Sequence, residues 1–174
     1  MRKNSLVYII GFMGSGKSTA GKKLASSLGW TFIDLDRKIE ERAGKTIPQI
    51  FSQNGEDHFR DIETDVLRSM KSRTETIIST GGGTSCYGDN MDFMLQTGLT
   101  VYLKMTPGQL TKRLLVSTGE RPLLKNVPDG KLIFFIQEKL AYREKWYNRA
   151  NIILNGIDLD ISLLCSRIKA YQPF

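Results

Sequence analysis

The chain has 174 residues, 40% hydrophobic and 25% charged, which suits one compact domain that buries about 70% of its unfolded surface and stands without a disulfide or a structural metal. Its 25 Lys and Arg against 18 Asp and Glu leave a net charge of +7, but they are spread along the chain with no long basic run, so the charge reads as a scattered basic surface serving anionic small molecules rather than nucleic acid. Cys86 and Cys165 form no CxxC or Cys/His cluster, which argues against zinc and fits free thiols in a cytoplasmic protein.

The first apolar run, in "MRKNSLVYIIGF", ends in a glycine-rich loop instead of a small-residue cleavage site, so it is read as a strand and not as a signal peptide. No run approaches the ~20 apolar residues of a membrane span. In chain order, "SLVYIIG" predicts a buried strand, "GKSTAGKKLASSLG" a helix ended by Gly29, and "TFIDLD" a strand carrying two aspartates. "RKIEERAG" and "TIPQIFSQNG" predict two short helices, each followed by glycine. "GEDHFRDIETDVLRSMKS" predicts a helix with Phe59, Ile62, Val66 and Met70 on one face. "TETIISTGGG" and "GLTVYLKM" predict strands, "TPGQLTKRLLVS" and "KLIFFIQEKLAYREKWYNRA" helices, "NIILNG" a last strand and "DISLLCSRIKAY" a last helix. Such alternation predicts an α/β fold: a three-layer α/β/α sandwich around a mostly five-stranded parallel sheet. "STGERPLLKNVPDG" carries two prolines, two glycines and an arginine between two helices, and predicts a mobile lid over about residues 115–130.

Gly11, Gly16, Lys17 and Ser18 satisfy G-x-x-x-x-G-K-[ST] between a predicted strand and a predicted helix. Glycines, Gly14 included, let successive N–H groups converge on one centre, at which the next helix also points its positive N-terminal end. Lys17 then reaches the β- and γ-phosphates of a nucleoside triphosphate and Ser18 ligates Mg²⁺. Ser15 and Thr19 add hydrogen-bond donors, although Thr19 also reads as an ordinary helix residue. No N-K-x-D segment for guanine and no apolar strand ending in Asp-Glu is present, so a GTPase and a motor ATPase are disfavoured and a small-molecule kinase remains.

Asp34 and Asp36, two apart on the predicted strand, share a face; a βαβ unit would set them beside the strand before the loop, one for the metal and one for an acceptor hydroxyl. The pair also reads as helix caps. Arg60 and Glu63 are i,i+3 neighbours on one helix, either a built arginine–carboxylate pair or a solvated one. Gly81, Gly82 and Gly83 follow a strand, where backbone N–H groups can approach a ligand or simply turn. His58 reads as a surface helix residue, and Trp146 and Tyr147 as packing aromatics. Met13, at an x position of the loop, carries no clear meaning.

Taken together and in order, "GFMGSGKS", "FIDLD", "IFSQNGEDHFRDIE", "STGGG", "RPLL" and "AYRE" resemble the shikimate kinases, over nearly the whole chain from Val7 to about Ile168. The resemblance implies a single P-loop kinase domain over residues 1–174, with substrate-binding helices over about 34–70, that moves a phosphoryl group from ATP to the 3-hydroxyl of shikimate. It implies that Asp34 and Ser18 hold Mg²⁺, mainly through water for Asp34. Asp36 would orient the attacking hydroxyl and accept its proton, and Arg60 and Arg143 would bind the shikimate carboxylate. Glu63 would hold Arg60, the backbone of Gly82 and Gly83 would contact substrate, and Phe51 and Phe59 would wall its pocket. Arg121, on the lid, would close over the transferring phosphate, Arg113 would lie against adenine, and the loop near Asn155 would complete the base site. Another small-metabolite kinase, such as a gluconate kinase, and a non-catalytic nucleotide-binding relative are the rivals. A monomer is the simplest expectation.

Overall fold

The computed structural model describes residues 5–117, 124 and 127–171. Five strands, β1 (Leu6–Ile10), β2 (Thr31–Asp34), β3 (Thr76–Ser79), β4 (Leu99–Lys104) and β5 (Ile152–Asn155), form one sheet in the order β2-β3-β1-β4-β5, and every adjacent pair is parallel. Among the described residues seven α-helices accompany them: α1 (Lys17–Leu28), α2 (Leu35–Ala43), α3 (Ile47–Ser69), α4 (Asn90–Thr97), α5 (Pro107–Leu115), α6 (Leu132–Tyr147) and α7 (Ile161–Ala170).

The two-residue period of the strands divides the core. Val7 and Ile9 of β1 join Ile77, Val101 and Leu103 against α1 and α7, where Leu24, Ala25, Leu164 and Ile168 are buried. Leu6, Tyr8 and Ile10 join Ile78 and Tyr102 on the other face, against Ile39, Leu67, Leu110 and Ile136 of the remaining helices. The expected three-layer sandwich and its five-stranded parallel sheet are therefore present. Cys86 and Cys165 are both free.

Three expectations need correction. β2 stops at Asp34, and Asp36 lies in the first turn of α2, because the Asp34 side chain accepts a hydrogen bond from the Asp36 N–H at 3.1 Å and so caps the helix there. The two carboxylates thus do not share a strand face. Nor is β2 beside β1: β3 lies between them, because all four residues of β3 are buried whereas in β2 only Ile33 is, which suits an edge. Finally, α4 had no predicted counterpart. Its eight residues carry Met91, Phe93, Met94 and Leu95, of which only Met91 and Met94 are buried, and the run is too short for periodicity to show.

The two predicted helices on either side of Gly55 form one element with a break: Gly55 takes φ 82° and ψ 176°, and the axis kinks there. Much of the predicted lid, residues 118–123 and 125–126, lies outside the described residues, Arg121 with it. Leu124 and Val127 pack against the larger core cluster.

Candidate active site

The loop between β1 and α1 is built by glycine where no other residue fits. Gly16 is the N-cap of α1 at φ 88°, a left-handed conformation that costs other residues roughly 1–2 kcal/mol. It brings no capping side chain, and the first turn of α1 holds no acidic residue, so the helix N-terminus keeps its positive end for an anion. A Cβ on Gly11 would stand 2.9 Å from the Leu103 carbonyl oxygen, so only glycine lets the loop leave β1 so close to β4. Lys17 is 8% exposed, and its ammonium donates to the carbonyls of Gly11 and Phe12 at 2.9 Å each, which holds the charge over the loop.

Beyond the loop opens a cleft of about 700 Å³. Gly14, Gly16, Lys17, Ser18 and Thr19 line one end. The other end is lined by Asp36, Phe51, Phe59, Arg60, Glu63 and the turn Gly81–Gly82–Gly83. Asp34 joins the two halves. Its Oδ1 caps α2 and its Oδ2 accepts from the Ser18 hydroxyl at 2.7 Å, while Ser18 also lies 3.1 Å from the Ser79 hydroxyl. Both readings of Asp34, cap and metal partner, are thereby compatible in one side chain. Among the described residues no group of three or more His, Cys, Asp or Glu could cage a metal. One carboxylate beside serine hydroxyls is an all-oxygen donor set that suits Mg²⁺ completed by water and phosphate oxygens.

The end of the cleft at the glycine turn is a network of buried charge. Arg60 is 6% exposed and Glu63 is fully buried. The Arg60 guanidinium donates to Glu63 at 2.7 Å and to Glu56 at 3.1 Å, and it lies 5.1 Å from the Phe59 ring centroid. Burial alone would lower its pKa, but the Glu63 charge and hydrogen bond, with the Glu56 pair, turn the shift upward and keep it cationic. The solvated i,i+3 pair that such spacing also permits is therefore replaced by a buried one. Phe51 stacks near Phe59, with ring centroids 4.7 Å apart.

Arg143, 7% exposed, reaches the same turn from α6. It donates to the Gly82 carbonyl at 3.3 Å and lies over the Phe12 ring at 5.3 Å. The glycines are required here by close approach: a Cβ on Gly83 would fall 2.5 Å from the Arg60 guanidinium, and one on Gly82 2.9 Å from the Met13 backbone nitrogen. Met13, without evident meaning in the sequence, is thus where the phosphate loop abuts the glycine turn.

Asp36 faces this network. Burial comes first, then the neighbouring Asp34 and Glu63 charges, and together they push its carboxyl up to about 6 against the lowering effect of Lys17. A carboxylate that titrates near 6 is matched to accepting a proton near neutral pH.

Several sequence-predicted residues stand apart. Ser15 is buried under the loop, its hydroxyl without a hydrogen-bond partner among the described residues. Arg113, by contrast, lines the cleft: its guanidinium lies over the phosphate loop, 2.9 Å from where a Gly16 Cβ would stand. Asn155 is exposed at the end of β5 and its side chain accepts from the Ile157 N–H at 2.9 Å, away from the cleft lining. His58 is exposed on α3. Residues the sequence reading missed are Ser79, Thr84 and the hydroxyl of Tyr147, which donates to the Gly82 carbonyl beside Arg143. Burial drives the Tyr147 phenol well up, so it stays a donor. The "ST" before the glycines was the one available signal, for Ser79.

The geometry has close counterparts. The family model described as "Shikimate kinase" matches residues 13–169. The chain belongs to the shikimate kinase family. A shikimate kinase of Parabacteroides distasonis is 45% identical over 150 residues, 86% of this chain and 87% of the relative. The crystal structure of shikimate kinase from Bacteroides thetaiotaomicron superposes with a TM-score of 0.85 at 38% identity, over 95% of this chain and 96% of the other. Shikimate kinase from Acinetobacter baumannii, solved in complex with shikimate, gives 0.84 at 33% identity over 94% and 90%. The P-loop kinase fold expected from the motifs is thus the fold of this family.

Proposed function

We propose that the chain transfers the γ-phosphoryl group of ATP to the 3-hydroxyl of shikimate, giving ADP and shikimate 3-phosphate on the route to chorismate and the aromatic amino acids. The observation that carries this reading is the pair of largely buried guanidinium groups at the glycine turn of a phosphate-loop cleft, Arg60 packed against Gly83 and Arg143 bonded to Gly82, with Asp36 in the same cleft lining. Shikimate is a small polyol with one carboxylate. Such a molecule needs forked cations and hydroxyl acceptors rather than an apolar pocket.

The phosphate loop and Lys17 hold the β- and γ-phosphates, and Ser18 and Asp34 hold Mg²⁺, which when bound neutralises phosphate charge. Arg60 and Arg143 take the shikimate carboxylate, Glu63 braces Arg60, and Phe51 and Phe59 wall the ring. Asp36 accepts a hydrogen bond from the 3-hydroxyl and takes its proton as the new P–O bond forms and the bond to the β-phosphate oxygen breaks. Arg121 is assigned to the transferring group and the lid over about 115–130 to excluding water, which would otherwise hydrolyse ATP. Arg113 and the loop after Asn155, where a Gly156 Cβ would lie 3.4 Å from the Ser15 carbonyl oxygen of the phosphate loop, are assigned to the adenine, with the exposed Asn155 side chain itself outside the cleft lining. We read the whole chain as one kinase domain working in the cytoplasm.

The test is ADP release with ATP and Mg²⁺ and, in turn, shikimate, quinate, gluconate or no acceptor. Release that depends on shikimate is expected; release with gluconate alone refutes the acceptor. Arg60→Ala should raise the KM for shikimate by roughly 10–100-fold, the range of charge-assisted hydrogen bonds, and leave the KM for ATP within about twofold. Equal weakening of both substrates would show that Arg60 does not read the carboxylate.

A further inference from the structure

The buried carboxylate of Glu63 has two oxygens and two different partners. Oε2 accepts from Arg60 at 2.7 Å; Oε1 accepts from the Thr84 hydroxyl at 2.6 Å. Thr84 is fully buried and opens the 3₁₀ turn Thr84–Cys86 directly after the glycines. Its position is held from three sides. Its N–H donates to the Gly81 carbonyl at 3.3 Å. Its carbonyl accepts from the Asn90 side chain at 3.1 Å, and that same amide donates to Thr64, next to Glu63 on α3, at 3.2 Å. Space at the bond is tight: a Cβ on Gly81 would lie 2.9 Å from both the Thr84 hydroxyl and Glu63 Oε1, and 3.1 Å from Asp36 Oδ1.

We infer that Thr84 is a positioning residue of the acceptor site, whose hydroxyl fixes the rotation of the Glu63 carboxylate and, through it, the aim of the Arg60 guanidinium. The inference rests on the kinase reading above. A carboxylate anchored at one oxygen can turn about its terminal torsion, which has broad wells. Anchored at both, it presents Oε2 to Arg60 in one orientation, so the arginine arrives preorganised for a substrate carboxylate. Partners that orient a ligating group in this way typically matter about 10–100-fold in metal sites, and loss of one hydrogen bond to a charged group corresponds to roughly tenfold.

The experiment compares Thr84→Val, which keeps the shape and removes the donor, with Thr84→Ser, which keeps the donor. Wild type and both variants are assayed with shikimate and with its methyl ester, which has no carboxylate. In Thr84→Val the KM for shikimate should rise roughly tenfold, with kcat and the KM for ATP within about twofold, and Thr84→Ser should restore wild-type values. The ester should be used poorly by all three proteins, with less than about a twofold difference between them, because Thr84 acts through the grip on the carboxylate. An unchanged shikimate KM in Thr84→Val overturns the inference. So does a loss shared by Thr84→Ser, or one equally large with the ester, either of which marks a merely structural role. A wild-type protein without shikimate-dependent turnover overturns the functional reading instead.

Discussion

Asp36→Asn should lower kcat by about 10²–10⁴, the usual contribution of a positioned proton acceptor, and at the same time raise the thermal midpoint at pH 7. The same burial and neighbouring Asp34 and Glu63 charges that lift its carboxyl to about 6 make its ionised form a liability to the fold. In the unfolded chain this group titrates in the ordinary carboxylate range, so the folded protein binds the proton more tightly. Its favourable contribution is present in full only below the unfolded pKa, and it is lost as pH rises through about 6. Above that, the ionised carboxylate costs up to about 3 kcal/mol. Asparagine keeps the shape and removes the charge, so the variant should melt up to about 6–12 °C higher at pH 7, at roughly 2–4 °C per kcal/mol for a chain of this size, and the two proteins should converge below about pH 4. Calorimetry from pH 4 to 8 with kcat on the same samples checks both halves. A variant that retains turnover, or one that melts with the wild type at pH 7, refutes the role. In the wild type, kcat/KM for shikimate should fall as pH drops through about 6, because the protonated carboxyl can no longer take the proton of the attacking hydroxyl.

Lys17→Ala should reduce kcat by about 10³-fold, the low end of what a single cation on the transferring phosphoryl group supplies. Its ammonium, already held over the loop by the Gly11 and Phe12 carbonyls, needs little rearrangement to meet a phosphate. Shikimate binding in the absence of ATP should change by less than about threefold, since Lys17 lies at the other end of the cleft. Because the Lys17 charge is what lowers the Asp36 carboxyl, its loss should also move the acid limb of the pH profile above 6. Steady-state kinetics and titration calorimetry separate these effects. Near-normal turnover would remove Lys17 from the chemistry.

The phosphate loop was readable because its chemistry is local. Gly11, Gly16, Lys17 and Ser18 act within a single turn of chain, and the conformations they require depend on residue type alone. Arg60 and Glu63 were readable as a pair for the same reason, being three apart on one helix. Whether that pair was solvated or buried was not readable, since burial comes from Phe59, the glycine turn and the rest of the cleft wall closing over it.

Asp34 and Asp36 show the boundary most clearly. Their spacing reads as two carboxylates on one strand face, but the element is different: the capping bond to the Asp36 N–H ends the strand two residues early. That competition between extended backbone and a local side-chain bond is decided by what packs around it. The neighbour of β2 was likewise misread, because strand order depends on which strand is apolar enough for the centre of the sheet.

By itself, the sequence determined an α/β chain with a P-loop, a carboxylate-bearing β2–α2 junction, a paired arginine and a glycine turn, and, through six ordered motifs, the kinase family that carries them. Only the tertiary structure decided which groups meet. Thr84 reaches Glu63 across 21 positions, Ser79 reaches Ser18 across 61, and Tyr147 reaches Gly82 across 65. No periodicity spans such distances. Those contacts follow from β3 entering the sheet between β1 and β2 and from α6 crossing back over the glycine turn, and these placements are set by the burial of whole faces rather than by any residue's near neighbours.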